Sequence, residues 1–307
     1  MAGNKDIQYD CVIVGAGPGG LQAAVYLGRY CRSVLVLDRG GGRTLHAKEI
    51  ENFLGQPLIS GRELIETGIS QALRFGARIE KKTVSAVAKG PGEGVFRIET
   101  TDGAFFTGRF AIVSTGARDN LPRIKDLQKF FAKNFFTCLD CDGYRMRGKK
   151  TVILGNSESA LRLALAVKQM YTNRVTVALA GYEPPPGYRE ALENEGIEVI
   201  FDEPEGLLGE AELEAAQFKS GRRVACHVVL SNYGYTLNDS FLAGLGLKRN
   251  PSGKYETNRH FESSMRGLYM VGPLAGNDQA VIAAGEGAEA AIDINKRLVE
   301  LNMAGGL

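Results

Sequence analysis

The sequence predicts an α/β protein built from two doubly wound, Rossmann-like, three-layer domains, the second inserted in the first. Three observations predict it. Short aliphatic or β-branched runs alternate with helix-like stretches along the chain, the pattern of buried parallel strands joined by crossover helices. Glycine-rich strand-to-helix turns open at Gly15 and again at Gly155. The length, 307 residues, suits two domains, each able to bury its own core.

In chain order, strands are expected at Cys11–Val14, Ser33–Leu37, Ala111–Ser114, Thr151–Leu154, Arg174–Leu179, Val224–Leu230 and Gly267–Val271. Each is short, apolar and bounded by glycine or charge. Helices are expected at Gly20–Tyr30, Gly61–Phe75, Ser159–Met170 and Val281–Leu301. Thr83–Ala88, Val95–Thr100 and Phe105–Arg109 read as an antiparallel meander, with turns at Gly90-Pro91-Gly92 and Asp102-Gly103. The last strand–helix pair, around Gly272 and Ala283, lies beyond the second unit and is expected to return to the first. The expected domains are therefore 1–116 with 246–307, and 117–245.

Lys and Arg total 37 against 35 Asp and Glu, a net charge of +2, so there is no electrostatic reason to expect binding to nucleic acid or an anionic membrane. The polar N-terminus carries no readable secretory signal and no apolar run approaches a membrane span, so a cytoplasmic location is expected. Glycine is the compositional excess, 39 of 307 residues against a usual level of about 7%. With only 10 prolines and no Gly-X-Y period, collagen and low-complexity disorder are excluded.

The glycines gather first at Gly15-Ala16-Gly17-Pro18-Gly19-Gly20, between an apolar strand and a small-residue helix. Gly15 permits the tight turn, Gly17 lets backbone approach a pyrophosphate, and Gly20 lets helix pack on strand. The helix N-terminus offers free N–H groups to phosphate. Asp38, 18 residues after Gly20 and followed by Arg39, stands where an acid would bind ribose hydroxyls. The first domain is thus a dinucleotide site, for FAD or NAD.

The chemical centre is Thr137-Cys138-Leu139-Asp140-Cys141-Asp142-Gly143. Two cysteines three apart can close a small disulfide; one thiolate attacks a partner disulfide and the other resolves it. Asp142 is placed to move the proton. Zinc would need two further ligands, and Cys11, Cys31, Cys226 and the three histidines offer no second metal-like spacing, so no metal is expected. Those three cysteines lie in apolar settings and are expected to pack.

With these residues in view the chain resembles the low-molecular-weight thioredoxin reductases and related flavin disulfide oxidoreductases over nearly its whole length. The motifs carrying the likeness are Gly15–Gly20, Gly41-Gly42 with Ile50–Gly55, Ser114-Thr115-Gly116-Ala117, Cys138–Gly143, Gly234–Asn238, and Gln279 leading into Ala283–Gly287. The resemblance implies FAD on the first site, with Arg39, Gly42, Gly272 and Ala280 in its cradle. It places Asn52 and Gln279 near the isoalloxazine, and Thr115-Gly116-Ala117 at the crossing between domains. It also implies that Cys141 faces the flavin, Cys138 meets the external substrate, Asp142 serves as the acid, and the protein is a homodimer.

Two departures qualify the likeness. At the second turn, Gly155-Asn156-Ser157-Glu158-Ser159-Ala160, Ser157 replaces the middle glycine and Glu158 adds a negative charge beside the phosphate position. NADPH-using members carry a His-Arg-Arg clamp for the 2′-phosphate. The equivalent stretch from Ala178 to Pro186 has no basic residue before Arg189, and Glu183 would repel phosphate. The other departure is Gly272-Pro273, where the family usually has Gly-Asp; Asp278 is a candidate substitute.

The sequence thus points to an FAD-dependent dithiol/disulfide oxidoreductase acting on a thioredoxin-like protein or a small dithiol/disulfide, without NADPH as its ordinary donor. A ferredoxin-like donor, oxygen, or a second aromatic cofactor in the vacated cleft would take that place. Two alternatives stand beside it: an ordinary NADPH-dependent thioredoxin reductase, and a flavin-binding regulatory protein with a vestigial redox site. The intact Cys-x-x-Cys-Asp-Gly argues against the last.

Overall fold

The structure, a computed structural model, describes residues 8–90, 94–276 and 278–304. Strand β1 (Gln8–Val14) sends Cys11 and Ile13 into one core and Val12 and Val14 into another, so it is buried on both faces, as a central parallel strand must be. It feeds α1 (Pro18–Arg29), whose proline sits at the first helical position, where no N–H is needed. Then come β2 (Val34–Asp38), α2 (Gly61–Arg74), capped by the Ser60 hydroxyl accepting from the Glu63 amide at 3.1 Å, and β3 (Arg78–Lys81). Strands β1, β2 and β3 run parallel.

The meander follows as β4 (Val84–Lys89), β5 (Phe96–Thr100) and β6 (Phe105–Val113). Most of the Gly90-Pro91-Gly92 turn lies outside the described residues. The runs Phe105–Arg109 and Ala111–Ser114 are one nine-residue strand, because Phe110 between them is buried in the core. The first half of β6 pairs antiparallel with β5, while β1 runs parallel along its other edge.

The chain leaves this unit through β7 (Ala117–Asp119). The second unit contains α3 (Leu127–Phe130), β8 (Phe135–Phe136), α4 (Leu139–Asp142), β9 (Thr151–Gly155), α5 (Glu158–Met170), β10 (Val175–Leu179), α6 (Tyr188–Asn194) and β11 (Glu198–Ile200). An antiparallel sheet of β12 (Pro204–Leu208), β13 (Ala215–Phe218) and β14 (Arg223–Ala225) precedes β15 (Val228–Asn232). The parallel sheet has the order β11-β10-β9-β15-β8. The single strand expected at Val224–Leu230 is therefore two strands in different sheets. The handover falls at Cys226-His227: the Cys226 amide donates to Glu214 O, and the His227 and Val228 amides both turn to Lys150 O.

The return strand β16 (Tyr235–Leu237) pairs with β7, and β17 (Leu268–Met270) rejoins the first sheet parallel to the second half of β6. Helix α7 (Ala280–Ala304) then packs on α1, where a Cβ at Gly287 would overlap the Gly19 carbonyl. One unit comprises 1–118 with 237–307, the other 119–236. The second unit is thus inserted in the first, with the return earlier than the 246 expected from sequence. The reason is Leu242, in the 3-10 segment Ser240–Leu245, which is buried with Leu268 and Met270.

Candidate active site

In the first unit the glycine turn has the form a pyrophosphate requires. Gly15 takes φ +102°, and a Cβ there would lie 2.5 Å from Ser114 O, so only glycine fits. A Cβ at Gly20 would overlap the Gly15 carbonyl, so this glycine closes the turn on itself. At Gly19 a Cβ would come within 3.0 Å of Ala283 O, Ser114 Oγ and Val271 Cγ2, so α1, α7 and the residues that follow β6 and β17 meet at one point. Gly17 is different: a Cβ there would meet only Ser114 O, at 3.8 Å. Its open side, above a helix start whose N-cap carries no side-chain cap, leaves bare backbone amides of the kind that fit a phosphate.

Asp38 braces this cradle. Its Oδ1 accepts from the Ala16 amide at 3.0 Å and its Oδ2 from the Gly40 amide at 2.8 Å, which leaves lone pairs for ribose hydroxyls. Gly40, Gly41 and Gly42 would each set a Cβ in open space, so the loop presents bare backbone. Arg39 donates to Asn238 Oδ1 at 3.2 Å. Asn238 also donates through Nδ2 to Thr115 O at 3.0 Å and through its amide to Gly116 O at 3.0 Å, while Thr115 Oγ1 donates to Asn238 O at 2.6 Å. The sequence placed Asn238 only at the end of a motif; here it ties Arg39, Thr115 and Gly116 together. Ala117 begins β7 and is buried.

Asn52 Nδ2 donates to Gln279 Oε1 at 3.1 Å, so two residues 227 apart in sequence meet at the start of α7, one position before Ala280. Asp278, the candidate substitute, pairs with Arg43 at 2.9 Å. Gly272 takes φ +70° and opens a 3-10 turn with Pro273.

In the second unit Cys138 and Cys141 form a disulfide, with Cα atoms 5.3 Å apart. Cys138 is the N-cap residue of the short helix α4, and its Sγ accepts from the Cys141 amide at 3.1 Å. Asp142 Oδ1 lies 3.3 Å from Arg145 Nε, and the Arg145 guanidinium lies 5.0 Å from the Tyr144 ring centroid. Gly143 is required by Tyr171, whose ring would be 2.7 Å from a Cβ there.

The second glycine turn is built differently from the first. Ser157 begins α5 in extended backbone, and Gly155 packs against Ala160. Glu158 Oε1 accepts from Arg162 Nη2 at 2.6 Å and from the Tyr188 hydroxyl at 3.0 Å, which ties the start of α5 to the start of α6. Those two donors, Arg162 foremost, hold its carboxyl below the usual carboxylate range. Arg189, the first basic residue after β10, pairs with Glu193 at 2.9 Å. The Glu158–Arg162 spacing is legible as a helical i,i+4 pair; Tyr188, 30 residues on, is not.

The remaining cysteines divide. Cys11 and Cys226 are buried, and burial pushes the Cys226 thiol up to about 12 and the Cys11 thiol further. Cys31, expected to pack, is exposed with φ +58°. It follows the Tyr30 cap of α1, where the chain reverses by donating the Arg32 amide to Leu27 O.

A bare-backbone cradle for a dinucleotide and a closed dithiol at the head of a helix are the working parts of a disulfide oxidoreductase. The family model for pyridine nucleotide-disulphide oxidoreductases matches residues 9–288, and the chain belongs to that family. A thioredoxin reductase of Treponema pallidum is 29% identical, the alignment covering 93% of this chain and 96% of the relative. A Clostridium pasteurianum protein described as a 34.2 kDa protein in the rubredoxin operon is 27% identical over 95% and 98%. Among solved structures, HlmI superposes with a TM-score of 0.92 at 28% identity, covering 99% of this chain and 97% of that one. A putative thioredoxin reductase, TrxB, from Bacillus anthracis gives 0.86 at 25% identity over 95% and 99%. The protein is a flavin disulfide oxidoreductase of thioredoxin-reductase type. The open face of Gly17 and the bare loop at Gly40–Gly42 fit FAD in the first unit.

Proposed function

We propose that the protein is a dithiol/disulfide oxidoreductase that works without NADPH. When bound, FAD supplies a two-electron couple matched to a dithiol. Cys138, whose sulfur accepts from the Cys141 amide, exchanges with an external thiol or disulfide through a mixed disulfide, and Cys141 resolves it. One disulfide closes as the other opens, so two electrons and two protons are conserved, and Asp142 carries the proton.

One observation supports the exclusion of NADPH. At the start of α5, the helix end that follows the second glycine turn, Glu158 sets a carboxylate that accepts from Arg162 and Tyr188. No basic side chain lies between Ala178 and Tyr188 to take a 2′-phosphate. Losing two or three charge-assisted contacts of about 1.5–3 kcal/mol each removes most of the affinity. In the same reading the protein is a homodimer acting on a thioredoxin-like protein or a small dithiol/disulfide. The rubredoxin-operon relative supports a small redox protein as the electron partner, in the place proposed for a ferredoxin-like donor; dioxygen and a second aromatic cofactor are its competitors.

Anaerobic titration of the purified holoprotein tests the proposal. A small dithiol should bleach the flavin band and NADPH should not; rapid bleaching by low NADPH would return the chain to the ordinary thioredoxin reductases. Cys138→Ser should abolish turnover and trapping of the mixed disulfide, and unchanged turnover would remove its assigned role.

A further inference from the structure

Helix α7 carries a carboxylate with no part in the dithiol chemistry. Glu286 is only 6% exposed, and its Oε2 accepts the amide of Gly272. The loop it grips, Gly272–Gly276, is anchored at several further points. The Ala275 and Gly276 amides fold back on Gly272 O at 3.1 and 2.8 Å, the Tyr255 amide donates to Leu274 O at 2.8 Å, and Lys254 Nζ donates to Gly276 O. A Cβ at Gly276 would overlap the Glu286 carboxylate, so glycine there makes room for it.

This loop stands on the edge of the sheet where the dinucleotide cradle lies. The Ser114 amide donates to Val14 O at 2.8 Å and the Val271 amide to Val113 O at 3.1 Å, so the carboxyl ends of β1, β6 and β17 are level. Ligands of doubly wound sheets bind outside those ends. Ala283, one turn before Glu286, and Val271, the residue before Gly272, both border the Gly19 position of the phosphate turn.

We propose that Glu286 is a positioning residue for FAD, acting through the Gly272 amide to hold the loop as one wall of the cradle. The proposal rests on FAD occupying the first unit.

The test uses the full-length chain stripped of flavin and titrated with FAD, read by quenching of flavin fluorescence and by the rise in melting temperature that FAD produces. Glu286→Ala should weaken FAD about tenfold or more, since it orphans a buried N–H. Glu286→Gln, whose amide oxygen can still accept from Gly272, should stay within about threefold. Gly276→Ala leaves the carboxylate in place but pushes it aside, and should match Glu286→Ala, which covers the case in which the latter does not fold. Wild-type affinity in Glu286→Ala or Gly276→Ala overturns the proposal, as does a lower melting point without FAD accompanied by unchanged affinity. A tenfold loss in Glu286→Gln overturns the hydrogen-bond basis. If the wild-type chain itself takes up no FAD, the assignment of the first unit fails instead.

Discussion

A thiol reacts according to its ionisation and its exposure, and the three unpaired cysteines divide on both counts. Cys11 lies in the central strand and Cys226 at the handover between sheets; burial holds both thiols protonated at neutral pH. Cys31 is exposed beyond α1, within reach of a reagent. Ellman's reagent should therefore titrate one fast thiol in the native, oxidised protein, and none in Cys31→Ser. Reduction of Cys138–Cys141 should add two, and a fast reaction at Cys226 would contradict the buried setting. Cys31 also shows where sequence stops informing. Its neighbours Tyr30 and Arg32 gave no cue that the position would be left-handed, because that follows from how α1 ends. Gly15, Asp38 and the Cys138–Cys141 pair were legible because their chemistry is local to a turn or a four-residue motif.

Between elements, close approach decides which glycines are structural. Gly28 sits on the face of α1 that meets the end of α2, where a Cβ would lie 2.6 Å from Phe75 O and 3.0 Å from Phe75 Cβ. Gly28→Ala gains about 1 kcal/mol of helix propensity but forces backbone apart, an overpacking cost of about 1–3 kcal/mol. The net expectation is a melting temperature lower by about 2–4 °C per kcal/mol lost, measured by calorimetry against wild type. An unchanged or higher value would mean that α2 yields freely. Helices α1, α2, α5 and α7 announce themselves in the sequence because their apolar faces repeat over three or more turns. Strand β8 has two residues, β11 three and α6 seven, too few to display a period. Glu286 escapes for another reason. Within Gly285-Glu286-Gly287 it reads as a solvated helix position, yet it accepts from a loop amide 14 residues upstream.

At the scale of the whole chain, the insertion predicts separability. The second unit has its own parallel sheet and two apolar cores, one around Ile153, Leu161 and Val177 and one around Phe130, Phe135 and Phe218. A chain of its 118 residues buries enough surface to fold alone. Its two ends are already stitched together: the Asn120 amide donates to Gly234 O at 3.0 Å, and Thr236 Oγ1 to Asn120 Oδ1 at 3.0 Å. The cut ends of the first unit are stitched likewise, by Asn238 to Thr115 and Gly116. A short glycine linker from residue 118 to residue 237 should therefore leave the first sheet intact, with β17 and α7 still closing on β6 and α1. The rejoined first unit should bind FAD within about tenfold of the whole chain, a cost of about 1.4 kcal/mol, because every cradle residue from Gly15 to Ala280 lies in it. The excised 119–236 fragment should melt cooperatively, carry the Cys138–Cys141 disulfide, and bind no flavin. A fragment without a cooperative transition would show that its cores depend on the first unit. A rejoined first unit that folds but takes no FAD would place part of the flavin site in the second.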